Sequence, residues 1–204
     1  MLFTIGHSIH ELDEFVLLLS QYKIDYVLDV RSTPYSKYAE NYNREILDKY
    51  LPQHKIHYSY MGTYFGARQE NKTLYSQEGY LDFEKVRSTS LFLKGVDNVK
   101  KGLSQGHNIA LMCTEKDPFD CHRAIMVARG FELEGSDIKH ILFDGSLMDQ
   151  KELDNRLLDK YFPNRNQLTI FDYDKPQDEE ELLKQAYIMR NKEIGYHLKL
   201  EQED

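Results

Sequence analysis

The stretch at 112–123, MCTEKDPFDCHR, is the richest in reactive side chains. It begins where the apolar run NIALM (108–112) ends and stops where a second apolar run, with helical character, begins. Cys113 therefore falls at a predicted strand end, and Cys121, His122 and Arg123 at a predicted helix start. A thiol at a helix amino terminus beside cationic groups ionises readily, which makes Cys121 a candidate nucleophile or redox-sensitive thiol. Arg123 offers a two-pronged grip on phosphate or carboxylate, while Glu115 and His122 are groups that move protons or position water. Packing alone would give Cys113 a place in the core, Thr114 or Asp120 a capping role, and Arg123 a structural acid to pair with. That simpler account suffices for Cys113. It does not suffice for Cys121-His122-Arg123, because packing rarely needs three reactive types at one strand-to-helix turn. Two cysteines eight apart with a histidine could ligate zinc. No fourth ligand is specified and no compact C-x-x-C pair occurs, so the sequence assigns no metal and leaves any cofactor open.

Two more polar groups end apolar runs in the same way. Asp29 and Arg31 flank Val30 at the end of YVLDV (26–30), and the two-residue period of a strand points both side chains to one face. An acid at the end of an apolar strand needs a partner, for which Arg31 or His7 is available. Asp29 reads equally well as a structural ion-pair member and as a catalytic acid. His7 and Ser8 close the first apolar run, LFTI (2–5) with Gly6.

These residues share a site only if the elements beneath them are neighbours. Apolar residues at 12, 15, 16, 18 and 19 recur at helical spacing between the first two strand-like runs, which predicts a βαβ unit. Its default is parallel pairing with a right-handed crossover, so the loops at 6–10 and 31–38 open at the same sheet edge. In such sheets ligands bind beyond the carboxyl ends of the strands. Further along, the pattern predicts a helix over 43–50, a strand over 55–60, helices over 91–103 and 124–133, and a strand over 138–143. The intervening 61–90 is irregular and long for a structureless connection, which marks it as functional or partly helical. After Asp144-Gly145, helices are predicted over 151–161 and 179–197. The expected fold is α/β and Rossmann-like: a largely parallel sheet flanked by helices over 1–145, with a C-terminal helical extension over 146–204.

Composition restricts the setting. With 41% hydrophobic and 29% charged residues among 204, the chain has enough apolar material for one core. No run approaches the roughly 18 apolar residues of a membrane helix, the start lacks the order of a secretory signal, and two cysteines are too few for a disulfide framework. A cytoplasmic protein without a membrane contact is expected. The net charge of −8 argues against a broadly basic nucleic-acid coat. Much of that acidity lies in DYDKPQDEEE (172–181) and the final EQED, so a local basic groove remains open.

In combination, several short motifs resemble the Domain of Unknown Function 488 family: TIGHS (4–8), LDVRSTP (28–34), FGAR (65–68), GYLDF (79–83) and LMCTEKDPFDCHR (111–123). The likeness runs over roughly 2–142, with Gly66-Ala67 standing where the family has a glycine pair. It implies an α/β fold and polar residues converging on one pocket, without a settled reaction. The candidates are His7, Ser8, Asp29, Arg31, Arg68, Tyr80, Cys113, Glu115, Cys121, His122 and Arg123. Three arginines suit a phosphate, and Asp29, Glu115 and His122 suit proton transfer. No P-loop and no G-x-G-x-x-G follows a strand. The expected function is hydrolysis of a phosphate-containing substrate in DNA or nucleotide metabolism, linked to repair. The alternatives are a thiol enzyme using Cys121 and a non-catalytic ligand-binding or adaptor module.

Near the end, QLTIF (167–171) resembles the sliding-clamp-binding peptide of bacterial replication and repair proteins. Such a peptide inserts Leu168, Ile170 and Phe171 into an apolar pocket while Gln167 makes polar contacts. An edge strand packed on its own domain is the competing account.

Overall fold

The computed structural model describes residues 1–165 and 178–198. β1 (Leu2–Gly6) is buried at every position, as a central parallel strand covered on both faces must be. α1 (Leu12–Gln21) follows, opened by a capping box between Glu11 and Glu14 and burying Phe15, Val16 and Leu19. Next come β2 (Tyr26–Asp29), α2 (Arg44–Tyr50) and β3 (His57–Tyr60). The long irregular region is partly helical, with the short α3 (Gly62–Phe65) and α4 (Phe83–Arg87), the latter capped by Asp82. α5 (Ser90–Ser104) leads into β4 (Ile109–Cys113), which is again wholly buried. α6 (Arg129–Leu133), β5 (Ile138–Ile141), β6 (Leu147–Asp149), α7 (Gln150–Tyr161) and α8 (Glu179–Ile194) complete the described chain.

The strands form one sheet in the order β3-β2-β4-β1-β5-β6, parallel except for the final β5–β6 pair. This is a largely parallel α/β sheet flanked by helices, with a C-terminal helix. Because β2, β4 and β1 are adjacent, their carboxyl ends line up: Gly6 pairs with Cys113, and Asp29 with Met112. One apolar layer centres on Phe65, Phe92 and Phe131, and the other on Phe15, Leu19 and Leu47. No helix among the described residues is long and apolar enough to cross a membrane.

Three elements differ from expectation. The helix predicted over 124–133 starts as a π-helical stretch, Arg123–Ala128, before tightening into α6. All six of its residues are buried, so no amphipathic period distinguishes its wider turn. Such turns often sit at functional sites. The sequence pattern predicts no strand where β6 lies, because three residues behind a tight turn carry too little of it; β6 and α7 add the chain after Gly145 to the sheet and its core. Finally, the last helix ends at Ile194, and the chain turns back so that Tyr196 accepts a hydrogen bond from Leu81 (2.9 Å).

Buried polar groups tie the end of the chain to the sheet. His140 of β5 has Thr4 Oγ1 and Gln150 Oε1 each 2.9 Å from a ring nitrogen. An amide oxygen only accepts, so His140 Nε2 carries the proton and Thr4 donates to Nδ1. Gln150 in turn donates to Tyr187, and Tyr187 to Asp154, both at 2.6 Å. Burial, then the charge of Arg123, lower the pKa of His140 to about 4 from an ordinary 6.5. The unfolded chain therefore takes up a proton near pH 6.5 that the folded chain refuses until about pH 4, so stability from this group is full above that window and lost on descending through it. Relative to His140→Gln, the native protein should lose up to about 3 kcal/mol between roughly pH 7 and 4. Asp154, raised to about 6 by burial, titrates in both proteins and cancels from the difference. Urea unfolding over a pH series checks this; parallel curves would mean that His140 is not held neutral.

Candidate functional site

At the carboxyl edge of the sheet, β2 delivers a tightly bonded pair. Arg31 Nε and Nη2 donate to the two oxygens of Asp29 at 2.9 and 2.6 Å, and Nη2 also donates to the Tyr42 carbonyl at 2.7 Å. Tyr58, from β3, donates to Asp29 Oδ2 at 2.8 Å. Arg31 Nη1 lies 3.3 Å from His7 Nε2, and the His7 ring stacks on Tyr42 at 4.0 Å. Burial, reinforced by the Arg31 charge, lowers the His7 pKa to about 4, so His7 is the neutral acceptor of that contact. Of the guanidinium's five N–H groups, one remains for a ligand.

β4 delivers Cys113, and the loop after it supplies the rest. The Cys113 and Cys121 thiols both point at Glu115 Oε2, at 3.0 and 2.8 Å. Cys113 Sγ lies 3.7 Å from His122 Nδ1, and His122 Nε2 donates to the Val30 carbonyl at 3.0 Å, which fixes the tautomer. Burial pushes the Cys113 thiol up and raises Glu115, helped in Glu115 by the nearby Cys121. Burial works against ionisation of Cys121, but Cys113, Arg123 and His122 outweigh it and its pKa falls; burial works against His122⁺, and Cys121 outweighs it and its pKa rises.

A cavity of about 270 Å³ opens over this edge, lined by Arg31, Ser32, Thr33, Ala67, Arg68, Cys113, Thr114, Glu115, Asp120, His122, Ile194 and Tyr196. Of the residues singled out from sequence, Arg31, Arg68, Cys113, Glu115 and His122 reach its wall. Asp29, His7 and Cys121 lie buried beneath it, and Ser8 is half-buried with its N–H on the Thr114 carbonyl at 2.9 Å. Two residues are placed differently. Arg123, expected on an anion, is wholly buried and donates to the carbonyls of Glu115 (2.6 Å) and Lys116 (3.2 Å), so it props the loop from below. Tyr80 lies off the cavity wall and is bridged to His197. Gln167–Phe171 lies outside the described residues.

Several contributors had no mark in the sequence. Tyr58 is one of many tyrosines, and only its strand position beside β2 makes it the second partner of Asp29. Tyr196 comes from beyond α8 and stacks under the Arg68 guanidinium, 5.0 Å from ring centre to Cζ. Arg190 of α8 pairs with Asp120 and donates to the Phe119 carbonyl (3.0 Å), fastening the loop from outside.

A largely parallel α/β sheet with a polar, partly cationic cavity at its carboxyl edge is the class that fold and site define. Within it, residues 11–129 match the family described as Domain of unknown function DUF488, and the chain belongs to that family. No curated protein and no solved structure matches the chain.

Proposed function

We propose that the chain is a hydrolase of DNA or nucleotide metabolism, linked to repair, that takes a phosphate-containing substrate into the cavity over the sheet edge. One observation carries this. Arg68 is exposed, has no acidic partner among the described residues, and shares the cavity wall with Arg31, Glu115 and His122. A free guanidinium above an aromatic ring, next to a second one with a donor to spare, suits a phosphate oxygen. Two carboxylates stand on the same wall; Asp120 is paired with Arg190, and Glu115 would handle the proton. Asp29 takes no proton in this account, because Arg31 and Tyr58 occupy its oxygens.

The thiol alternative is weaker here, since Cys121 is 1% and Cys113 3% exposed. The clamp contact through Gln167, Leu168, Ile170 and Phe171 rests on the peptide's sequence and would deliver the enzyme to DNA. A cytoplasmic setting accords with two unpaired cysteines.

The test is binding of a 5′-phosphorylated oligonucleotide against its unphosphorylated twin. The native chain should prefer the phosphorylated form, and Arg68→Ala should weaken that binding about 10- to 100-fold, the equivalent of a charge-assisted hydrogen bond of roughly 1.5–3 kcal/mol. Release of product should fall with it. No preference in the native chain, or unchanged affinity in the variant, would overturn the proposal.

A further inference from the structure

We infer that Cys113, Glu115, Cys121 and His122 form a binding site for a zinc ion. One donor atom from each lies within 4.8 Å of every other. A tetrahedral ion with bonds of about 2.0–2.3 Å would set its ligands roughly 3.3–3.8 Å apart. The 3.7 Å between Cys113 Sγ and His122 Nδ1 already matches. The contacts of 3.0 and 2.8 Å from Glu115 to the two sulfurs would open by roughly half an ångström, and separations of up to 4.8 Å within the cluster would close by about one.

The donor chemistry points the same way. Two sulfurs, an imidazole nitrogen and a carboxylate form a borderline-soft set that suits zinc over magnesium or calcium. These groups face one another rather than complementary partners: Glu115 Oε2 receives only thiols, which are weak donors. Around them stands a supporting ring of the kind metal ligands keep. His122 Nε2 donates to the Val30 carbonyl, which leaves the Nδ1 lone pair aimed at the cluster, and the Arg123 N–H meets Cys121 Sγ at 3.4 Å. Two thiolates and a carboxylate would leave one net negative charge on the loaded site, and the buried Arg31 and Arg123 stand beside it.

The sequence withheld this site because its fourth ligand is Glu115, two residues from Cys113, and no zinc spacing pairs a cysteine with a glutamate there. An ion can enter through the cavity, since Cys113, Glu115 and His122 all reach its wall. Cys113, Cys121 and His122 close three positions from below. Glu115 holds the fourth on the solvent side, where water or a ligand oxygen can replace it. The inference stands whether or not the protein is a hydrolase.

The full chain, produced without a metal-binding tag in zinc-supplemented medium, should carry close to one zinc per chain by elemental analysis. Stripped with a chelator and reloaded with Co²⁺, it should show the thiolate-to-cobalt charge-transfer band and the visible bands of tetrahedral cobalt. Cys121→Ser should abolish the charge-transfer intensity contributed by its sulfur, and Glu115→Gln should weaken zinc binding by at least about tenfold while both thiolate contacts persist. If Cys121→Ser fails to fold, the cobalt spectrum of the native chain and the Glu115→Gln affinity decide. A cobalt spectrum without thiolate bands would overturn the inference, as would a Cys113–Cys121 disulfide by mass or zinc binding unchanged in Glu115→Gln.

Discussion

Asp29→Asn is expected to destabilise the protein by about 3–5 kcal/mol, because it leaves a buried guanidinium without its counter-charge. The side chains of Asp29 and Arg31 are 0% and 6% exposed, so water cannot take over the lost role. The pair is held at three further points: by Tyr58 on Asp29, by the Tyr42 carbonyl on Arg31, and by His7 on Arg31. Removing the carboxylate charge therefore loosens β2, β3 and the loop after β1 together. Against a typical total stability of about 5–15 kcal/mol, that is a large share. An instructive comparison is Asp120→Asn. Its partner Arg190 is buried, but Asp120 itself is 59% exposed, so a loss of about 1 kcal/mol or less is expected. Urea unfolding of both variants separates the two roles that the sequence leaves open for Asp29. A variant with native stability that had lost only activity would make Asp29 a catalytic acid. Replacing Asp29 and Arg31 together by Leu and Met should restore part of the loss, since a buried pair is costly mainly when half of it is removed.

What the sequence made legible follows from burial. β1, β2 and β4 lie inside the sheet with helices on both faces, so they read as nearly unbroken apolar runs, and their parallel order follows from the crossover rule. The Asp29–Arg31 pair was legible for the same reason, since a two-residue period fixes a face without any knowledge of neighbours. The place of Arg123 is not legible in the sequence, because direction, unlike period, depends on local turn geometry. Arg123 enters the chain at the first residue of a π-helical turn and points under the loop. Resemblance to the family grouped motifs of which those at 4–8, 28–34 and 111–123 lie at neighbouring strand ends, but it could not tell that Tyr80 is bridged to His197. Nor could it tell that Tyr196 and Arg190 close the site from far along the chain. Those contacts arise when α8 packs against the rest, and a residue more than 70 positions away leaves no local pattern.

The loop that carries Glu115 should prove to be seated on Gly6. A Cβ added there would come within 1.9 Å of the Glu115 carbonyl oxygen, 2.9 Å of its carbon and 3.1 Å of Arg123 Nη2. The first two contacts are with backbone, which no side-chain rotation relieves. β1 cannot retreat, because it is hydrogen-bonded to β4 on one side and β5 on the other. Gly6→Ala must therefore lift the loop. Lifting it gives up the 2.6 Å bond from Arg123 to the Glu115 carbonyl and strands a wholly buried guanidinium. Overpacking of about 1–3 kcal/mol adds to the loss of a charge-assisted bond of roughly 1.5–3 kcal/mol, so about 3–5 kcal/mol is expected from a single methyl group. The same movement carries the Glu115 carboxylate off Cys113 and Cys121. In chelator-treated native protein both thiols should resist a water-soluble disulfide reagent, and in folded Gly6→Ala they should react at least about tenfold faster, as exposure governs thiol access. Stability and thiol protection both equal to those of the native chain would show that the loop does not rest on Gly6, and the geometry of the whole cluster would then have to be redrawn.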